Sequence, residues 1–511
     1  MSTQVQLIVP MTGVGQRFID AGFERLKPLI ETGIGTMIQN VLNGFPSIEA
    51  PICIINEVGK DKELLKSELL RIRPKARIVE IPPHKNGPSF AIWEAREHID
   101  LELPVVVSYC DFAGIWSEKE FLERVSLSDG LIQTYTGFHP HMIRNDRFAY
   151  VKKDTADNVI GIQEKLPYTN CPMSEEASSG IYGFKSGEVL IQAIRSQLDN
   201  NFSLNGEFYT SLTYRPLIEQ KKEVKTIQMQ YFFQWGTPED LRDFNFWVRM
   251  SQRQLPSGIS ANDSSVVILA AGSGSRVAKL ARVEKPFISV FGNPLWLYSA
   301  SIFQKSRERI VFSNSTNQSM FSLKNPFGFK FAVRDQMTRS QAESAFLALE
   351  EIEDHNKPVH ILACDNLFLS DHFEMLNELV NTADLIVWVT RDYAAASNQK
   401  EQFSWVSIGT SGEVAQLRVK AENPDPEAMM LIGNFSFKNA KIASNLIEKT
   451  LRWKSDSSAE VYLDWVTEIA IKEGFRVCTF EVRDFWAIGT PNEFKTLQYW
   501  SDVFGESTVI K

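Results

Sequence analysis

Short apolar runs alternate along the chain with longer stretches of helical period. In the first half QLIVP, APICIINEV, ARIVEI and LPVVVSYCD are short and rich in Val and Ile, whereas DKELLKSELLRI and SFAIWEAREHI space their apolar residues three and four apart. Short continuous apolar runs read as strands buried on both faces, and the periodic stretches as helices packed on them. Such alternation predicts an α/β fold with helices on a largely parallel sheet. The second half repeats the rhythm, with SVVILAA, ERIVFS, FKFAV and PVHILACD as strands and AESAFLALEEI and HFEMLNELVN as helices. The later part of each half is richer in strand, as in FAYVKKD, VIGIQEK and SSGIYGFK. It predicts a mixed extension over the C-terminal edge of the sheet, where open α/β sheets bind their ligands.

The halves also match residue by residue. QLIVPMTGVGQRF with LKPLI near the start answers VVILAAGSGSRV with EKPFI past the midpoint. Gly13 and Gly272 are 259 positions apart, as are Arg17 and Arg276, and Lys27 and Lys285 are 258 apart. Further on, Asp111 meets Asp365 at 254 and Lys165 meets Lys420 at 255; Gly180 with Gly433, Glu207 with Glu460, and Gly236 with Gly489 all stand 253 apart. Matches in one order at nearly constant offset imply a duplicated unit. The polar, Ser- and Gly-rich stretch at 252–265 is expected to be a linker, leaving domains at 1–251 and 266–511.

A length of 511 residues suits two such domains. The net charge of -9 argues against a broad basic surface for nucleic acid or an anionic membrane, so any phosphate binding is expected to be local. No apolar run approaches the ~20 residues that span a bilayer, and the N-terminus lacks the pattern of an export signal. Five scattered cysteines suggest neither a disulfide framework nor a zinc site, and a reducing cytoplasm is the simplest compartment. The oligomeric state is left open, a homo-oligomer included.

The glycines are the first chemistry in the chain. A strand running directly into Gly13-Val14-Gly15 can turn consecutive backbone N–H groups on a phosphate, because no side chain blocks the approach. The loop is not a Walker A motif, which needs Gly-Lys-Ser/Thr, nor a dinucleotide fingerprint, whose third glycine is replaced by Phe18 and Val277. What remains is Gly-x-Gly-x-Arg followed by Lys-Pro, written twice.

With these motifs the chain resembles the sugar-phosphate nucleotidyltransferases, also called nucleoside-diphosphate-sugar pyrophosphorylases. The first half, with CDF, QEKLP, SSGIYGF and WGTPEDL in order, is especially similar to nucleotidyltransferases of capsule and surface-glycan pathways. The resemblance implies two tandem three-layer α/β/α domains, Rossmann-like and related to the GT-A glycosyltransferases. It implies a reaction between an NTP and a phosphorylated acceptor, such as a sugar phosphate, that releases pyrophosphate and uses Mg²⁺.

The roles that follow from the resemblance fall on definite positions. Gly13 and Gly15, with Gly272 and Gly274, would hold the triphosphate; Arg17 and Arg276 the departing pyrophosphate; Lys27 and Lys285 the phosphates at the reacting centre. Asp111 and Asp365 would bind the metal, each ending an apolar run. A second aspartate found in many relatives is replaced by Gln234 and Ala487, with Glu239, Asp240 or Asp484 as substitutes nearby. Lys165 and Lys420 would meet the acceptor phosphate, Glu164 the acceptor itself, and Gly180, Glu207, Gly433 and Glu460 would line its pocket. Asn86, Gly87 and Ser89 fall in the base-reading region, against Arg339, Ser340 and Ala342. Because Glu164 is matched by Val419, the first half is expected to take the more polar acceptor. Cys110 and Cys364 read as small buried residues rather than nucleophiles. Two alternatives stay open: a second half that binds nucleotide as a regulatory or scaffolding copy, and a GT-A glycosyltransferase, which usually carries Asp-x-Asp where this chain has Cys-Asp-Phe and Cys-Asp-Asn.

Overall fold

The computed structural model describes residues 4–252, 255–256, 258–272, 274–314, 321, 324–369, 372–391, 393–396, 399–454 and 460–505. The chain divides into two compact units on either side of Val248 and Arg249. Within the polar stretch expected as a linker, Ile259–Ala270 is a continuous strand in the second sheet. Ile259 and Ala261 alternate with exposed Ser260 and Asn262, a period-two signal hidden among polar neighbours. Arg253, Gln254 and Ser257 lie outside the described residues.

In the first unit the sheet runs, edge to edge, Val224–Gln228, Gly130–Tyr135, Glu176–Phe184, Val105–Ser108, Gln6–Pro10, Ile52–Asn56, Arg77–Ile81. Glu176–Phe184 is antiparallel to both neighbours; every other adjacent pair along this path is parallel. Leu7 and Val9 pack into the apolar cluster on one face and Ile8 into that on the other, so both faces carry helices and the fold has three layers. That double burial is why these strands read as unbroken apolar runs. The second unit repeats the order with Lys330–Arg334, Phe303–Asn314, Ile259–Ala270, Val359–Ala363, Met429–Phe437, Leu385–Thr390 and Val477–Glu481 reading from the opposite edge.

The strand order sets the position of the site. From Gln6–Pro10 the chain moves outward to Ile52–Asn56 and Arg77–Ile81, then returns to Val105–Ser108 on the other side of the first strand. Connections leaving these two central strands diverge, which opens a crevice beyond their C-terminal ends. The loop after Gln6–Pro10 holds the glycines, and the residues after Val105–Ser108 include Asp111. An antiparallel ribbon, Phe112–Ile115 with Tyr231–Gln234, lies beside it, and Asn366–Phe368 with Phe485–Ala487 does the same in the second unit.

Each ribbon feeds a helix through Gly-Thr-Pro. In the second unit Thr490 and Glu493 form a capping box at the start of Pro491–Gly505. The Glu493 amide donates to Thr490 Oγ1 at 3.3 Å, and Glu493 Oε2 accepts from the amides of Gly489 and Thr490, both at 2.7 Å. Glu493 Oε1 accepts from the Tyr393 hydroxyl at 2.5 Å, so a carboxylate that is 1% exposed holds three donors. We predict that Glu493→Ala destabilises the second unit by about 3 kcal/mol, because three buried donors lose their acceptor. Denaturant unfolding of the full chain should show a transition moved to lower denaturant; an unmoved curve would refute the prediction.

Candidate active site

In the first unit the strand Gln6–Pro10 runs through Met11 and Thr12 into the glycine loop, which the Asn56 side chain ties to the next strand by donating to the Thr12 carbonyl at 2.8 Å. Gly15 has a φ of 68°, and a Cβ there would lie 3.1 Å from the Lys27 Cβ. Glycine is needed at 15 so that the loop can close over the lysine stem. Gly13 differs: its φ is not positive and a Cβ would meet nothing within 4 Å. Neither backbone angle nor internal packing requires glycine at 13, so the position leaves room for a ligand to approach its backbone. Gly274 (φ 56°, 3.0 Å from the Lys285 Cβ) and Gly272 (open space) repeat the pattern.

Lys27 opens a 3-10 turn, Lys27–Leu29, and its ammonium lies 5.4 Å from the ring of buried Phe18. It donates to Asp111 Oδ2 at 2.6 Å, joining the loop after one central strand to the end of the other. The Trp235 amide donates to the Asp111 carbonyl at 2.9 Å and fixes that residue to the ribbon. In the second unit Lys285 pairs with Asp365, whose carbonyl accepts from Ile488 at 3.0 Å. Burial works to lower the Lys285 pKa, but the Asp365 carboxylate, helped by Cys364 and Glu493, outweighs it and leaves the value raised. The thiols of Cys110 and Cys364 are pushed up to about 12, by burial first and then by the neighbouring aspartates. They stay protonated at neutral pH and are poor nucleophiles.

Arg17 and Arg276 are exposed at the mouths of their loops. Gln234 and Asp111 flank Gly236: a Cβ there would stand 2.5 Å from Gln234 Nε2 and 3.8 Å from Asp111 Oδ2. Of the substitute carboxylates, Asp240 accepts from Thr237 Oγ1 at 2.9 Å and Asp484 pairs with Arg249 at 2.8 Å, so each has a partner of its own. Glu493, unremarked in the sequence, comes nearest in the second unit; a Cβ on Gly489 would lie 3.4 Å from Glu493 Oε2, 3.7 Å from Asp365 Oδ2 and 3.8 Å from Lys285 Nζ.

The residues expected to meet the acceptor lie on and after a hairpin. Ala149–Lys153 pairs with Val159–Glu164, after which Lys165 adopts a φ of 59°. Its ammonium donates to the Tyr209 hydroxyl and lies 4.4 Å from that ring's centroid, and the Tyr209 hydroxyl donates in turn to Glu207. Glu164 Oε2 accepts from Ser211 Oγ at 2.5 Å, and burial raises the Glu164 pKa against the opposing pull of Ser211 and Lys165. In the second unit Lys420 has a φ of 51°, donates to the Tyr462 hydroxyl and lies 3.9 Å from its ring. Tyr209 and Tyr462 stand 253 apart, the same offset as their neighbours Glu207 and Glu460, which is the signal by which the sequence could have revealed them.

The second unit gathers its predicted residues around one crevice. A cavity of about 870 Å³ is lined by Gly272, Gly274, Arg276, Lys285, Arg339, Ser340, Asp365 and Glu460, and Tyr462 is common to it and an adjoining pocket with Lys420, Gly433 and Asp464. In the first unit Gly87 (φ 87°) allows its backbone to approach Phe208, since a Cβ would stand 2.8 Å from the Phe208 amide nitrogen. That contact joins the loop before helix Pro88–Glu94 to the segment carrying Glu207 and Tyr209, and it explains the glycine without a ligand. Gly180 (φ 93°) lies 3.2 Å, by the same measure, from the Tyr109 ring and 3.3 Å from that of Phe112.

A doubly wound sheet with a glycine loop and a lysine–aspartate pair at its switch point defines a phosphate-handling α/β enzyme. The chain belongs to the nucleotidyl transferase family, whose pattern it matches twice, over residues 8–247 and 265–506. It is 25% identical over 242 residues to the bifunctional protein GlmU of Campylobacter fetus subsp. fetus (strain 82-40), a match covering 46% of this chain and 52% of that protein. The matched region thus spans about half the length of the curated relative. Among solved structures, the nucleoside-diphosphate-sugar pyrophosphorylase from Vibrio cholerae RC9 is 20% identical, with a TM-score of 0.40, over 47% of this chain and 99% of that one.

The contrast between the glycines yields a test. Gly13→Ala and Gly272→Ala are predicted to leave the melting temperature within about 1 °C while weakening nucleotide binding at least tenfold, because the added methyl meets ligand and not protein. Gly15→Ala is predicted to cost about 1 kcal/mol of stability through its φ. Calorimetry and nucleotide titration measure both; undiminished binding by Gly13→Ala and Gly272→Ala would remove these loops as phosphate cradles.

Proposed function

We propose that each half transfers a nucleoside monophosphate from an NTP to a phosphorylated acceptor, with sugar phosphates the leading class, and releases pyrophosphate. The activated products would feed assembly of a surface glycan. The observation that carries this reading is the lysine–aspartate pair made twice, by Lys27 with Asp111 and Lys285 with Asp365, each beside a glycine loop at a switch point. Membership of the nucleotidyl transferase family, matched over both halves, supports the same reaction class.

An oxygen of the acceptor phosphate attacks the α-phosphorus, the bond to the β-phosphate breaks, and pyrophosphate leaves with the bonding electrons. The attacking phosphate is already ionised, so no side chain need take a proton; the protein's task is positioning and charge neutralisation. Backbone N–H groups at Gly13 and Gly15 hold the triphosphate, Lys27 neutralises charge at the reacting phosphorus, and Arg17 meets the departing pyrophosphate. Lys165 and Glu164 hold the acceptor. Gly272, Gly274, Arg276, Lys285 and Lys420 take the corresponding parts in the second half.

The donors present suit magnesium in a particular way. Among the described residues no group of three or more His, Cys, Asp or Glu side chains could hold a metal, and Gln234 and Ala487 stand on the strand beside each aspartate. One hard carboxylate oxygen per half is enough when triphosphate oxygens and water complete the shell, which is how Mg²⁺ is usually held. Asp111 and Asp365 would be those ligands, and the ion would neutralise phosphate charge. Each member of the lysine–aspartate pair would then have a new partner, the lysine an anion and the aspartate a cation.

A second reading, in which the second half only binds nucleotide, draws on Val419 and Ala487. One experiment separates the two: incubate the protein with each NTP, Mg²⁺ and a panel of phosphorylated sugars and alcohols, and assay pyrophosphate. Lys27→Ala and Lys285→Ala should each lower their own half's turnover by ~10²-fold or more, and excess EDTA should stop both. If Asp365→Asn changes nothing while Asp111→Asn abolishes all turnover, the second half is a binding copy. Full turnover in EDTA would remove both aspartates from the metal role.

A further inference from the structure

The two halves differ most where an acceptor would lie, and the difference is an exchange rather than a loss. In the first half the hairpin pairs Ala149 with Glu164, and Glu164 accepts a hydrogen bond from Ser211, two residues beyond Tyr209. At offsets of 255 and 253 the second half has Ser404 for Ala149, Val419 for Glu164 and Asp464 for Ser211. The hairpin register agrees, since Trp405 pairs with Arg418 and the next positions along are Ser404 and Val419. Ser404 Oγ donates to Asp464 Oδ2 at 2.6 Å, against 2.5 Å for Ser211 to Glu164. Every residue of the carboxylate–hydroxyl pair has changed place, yet the pair and its length persist.

Asp464 faces the pocket shared by Lys285, Asp365, Lys420, Gly433 and Tyr462. It directly precedes helix Trp465–Lys472, where an aspartate would ordinarily cap the first turn, but it makes no capping hydrogen bond and turns to Ser404, 60 residues away in sequence. Burial raises its pKa, so holding a carboxylate there has a cost that helix capping does not offset.

We propose that Asp464 is the second half's specificity residue, a carboxylate that accepts hydrogen bonds from hydroxyl groups of a phosphorylated acceptor whose phosphate is held by Lys420. Ser404 is its positioning residue. The proposal rests on the nucleotidyltransfer reading, and it departs from the expectation, drawn from Val419, that the first half takes the more polar acceptor. An ionised carboxylate only accepts, so it selects ligands carrying donors, and a charged hydrogen bond of this kind is worth an order of magnitude or more in affinity. Coming from the opposite wall on a side chain one methylene shorter, it reads a different hydroxyl from the one Glu164 meets. Both halves thus take hydroxylated acceptors, distinguished by which hydroxyl is read.

The test uses the full chain carrying Lys27→Ala, so that pyrophosphate reports the second half, with hexose 1-phosphates, glycerol phosphate and hydroxyl-free ethyl phosphate as acceptors. Asp464→Asn keeps the shape and the bond to Ser404; it should raise KM for the best hydroxylated acceptor about 10-fold or more, leave KM for the NTP within about twofold, and not affect ethyl phosphate. The triple variant Ser404→Ala, Val419→Glu and Asp464→Ser rebuilds the first half's arrangement and should recover transfer with the acceptor order of that half. Transfer that is unchanged in Asp464→Asn overturns this proposal and leaves the nucleotidyltransfer reading standing. No pyrophosphate from any acceptor overturns both this proposal and the transferase reading of the second half, and Lys285→Ala, which should silence any transfer that is seen, assigns that transfer to the second half.

Discussion

Each half of this protein is organised by an ion pair that bridges the two central strands. Lys27 and Asp111 come from segments 84 residues apart and meet only because the sheet returns its fourth strand to the side of its first. Neither member is free in water: their side chains are 16% and 26% exposed, and those of Lys285 and Asp365 are 20% and 17%. A pair at this depth adds little net stability, because desolvation offsets the attraction, but removing either partner strands a charge. The rest of the site is placed around it. Gly15 and Gly274 are glycines because the lysine stems pass beneath them, and the ribbons at 112–115 and 366–368 hold each aspartate from behind.

What was legible in the sequence was what the chain writes contiguously. The duplication, the glycine loops, the lysines and the aspartates at strand ends are each a few adjacent residues, and their regular offset carries them from one half to the other. The start of the second sheet was less clear, because Ile259 and Ala261 are separated by polar residues and the stretch resembles a connection by composition. The wall beside the hairpin could not be read. Glu164 and Val419 are matched by offset, and taken alone they report a lost carboxylate; the compensation at Asp464 is 45 residues further on, and only the hairpin's crossing brings Ser404 to it. Glu493 was hidden for a similar reason, since its capping role and its nearness to Asp365 depend on a helix start lying against a strand end.

The pattern of change between halves divides the site into a floor and a wall. The floor, made by strand ends and the loops leaving them, keeps its glycines, arginine, lysine and aspartate in both halves. The wall, made by the hairpin and the segments after Phe208 and Val461, keeps its lysine–tyrosine contact but exchanges the residues of its carboxylate–hydroxyl pair. Packing explains the difference. The aspartates of the floor are fixed to the ribbons by backbone bonds from Trp235 and Ile488, whereas the carboxylate–hydroxyl pair of the wall meets through side chains and can exchange places.

Lys165 and Lys420 hold left-handed backbone angles that a lysine adopts only at a cost, and each is pinned by its ammonium against a tyrosine. A free lysine side chain has four rotatable bonds and surrenders up to ~2 kcal/mol of rotamer entropy when it is immobilised. Here that freedom is lost when the chain folds. The direction of each ammonium is therefore set before any anion arrives, and an anion that met it would not have to remove that disorder.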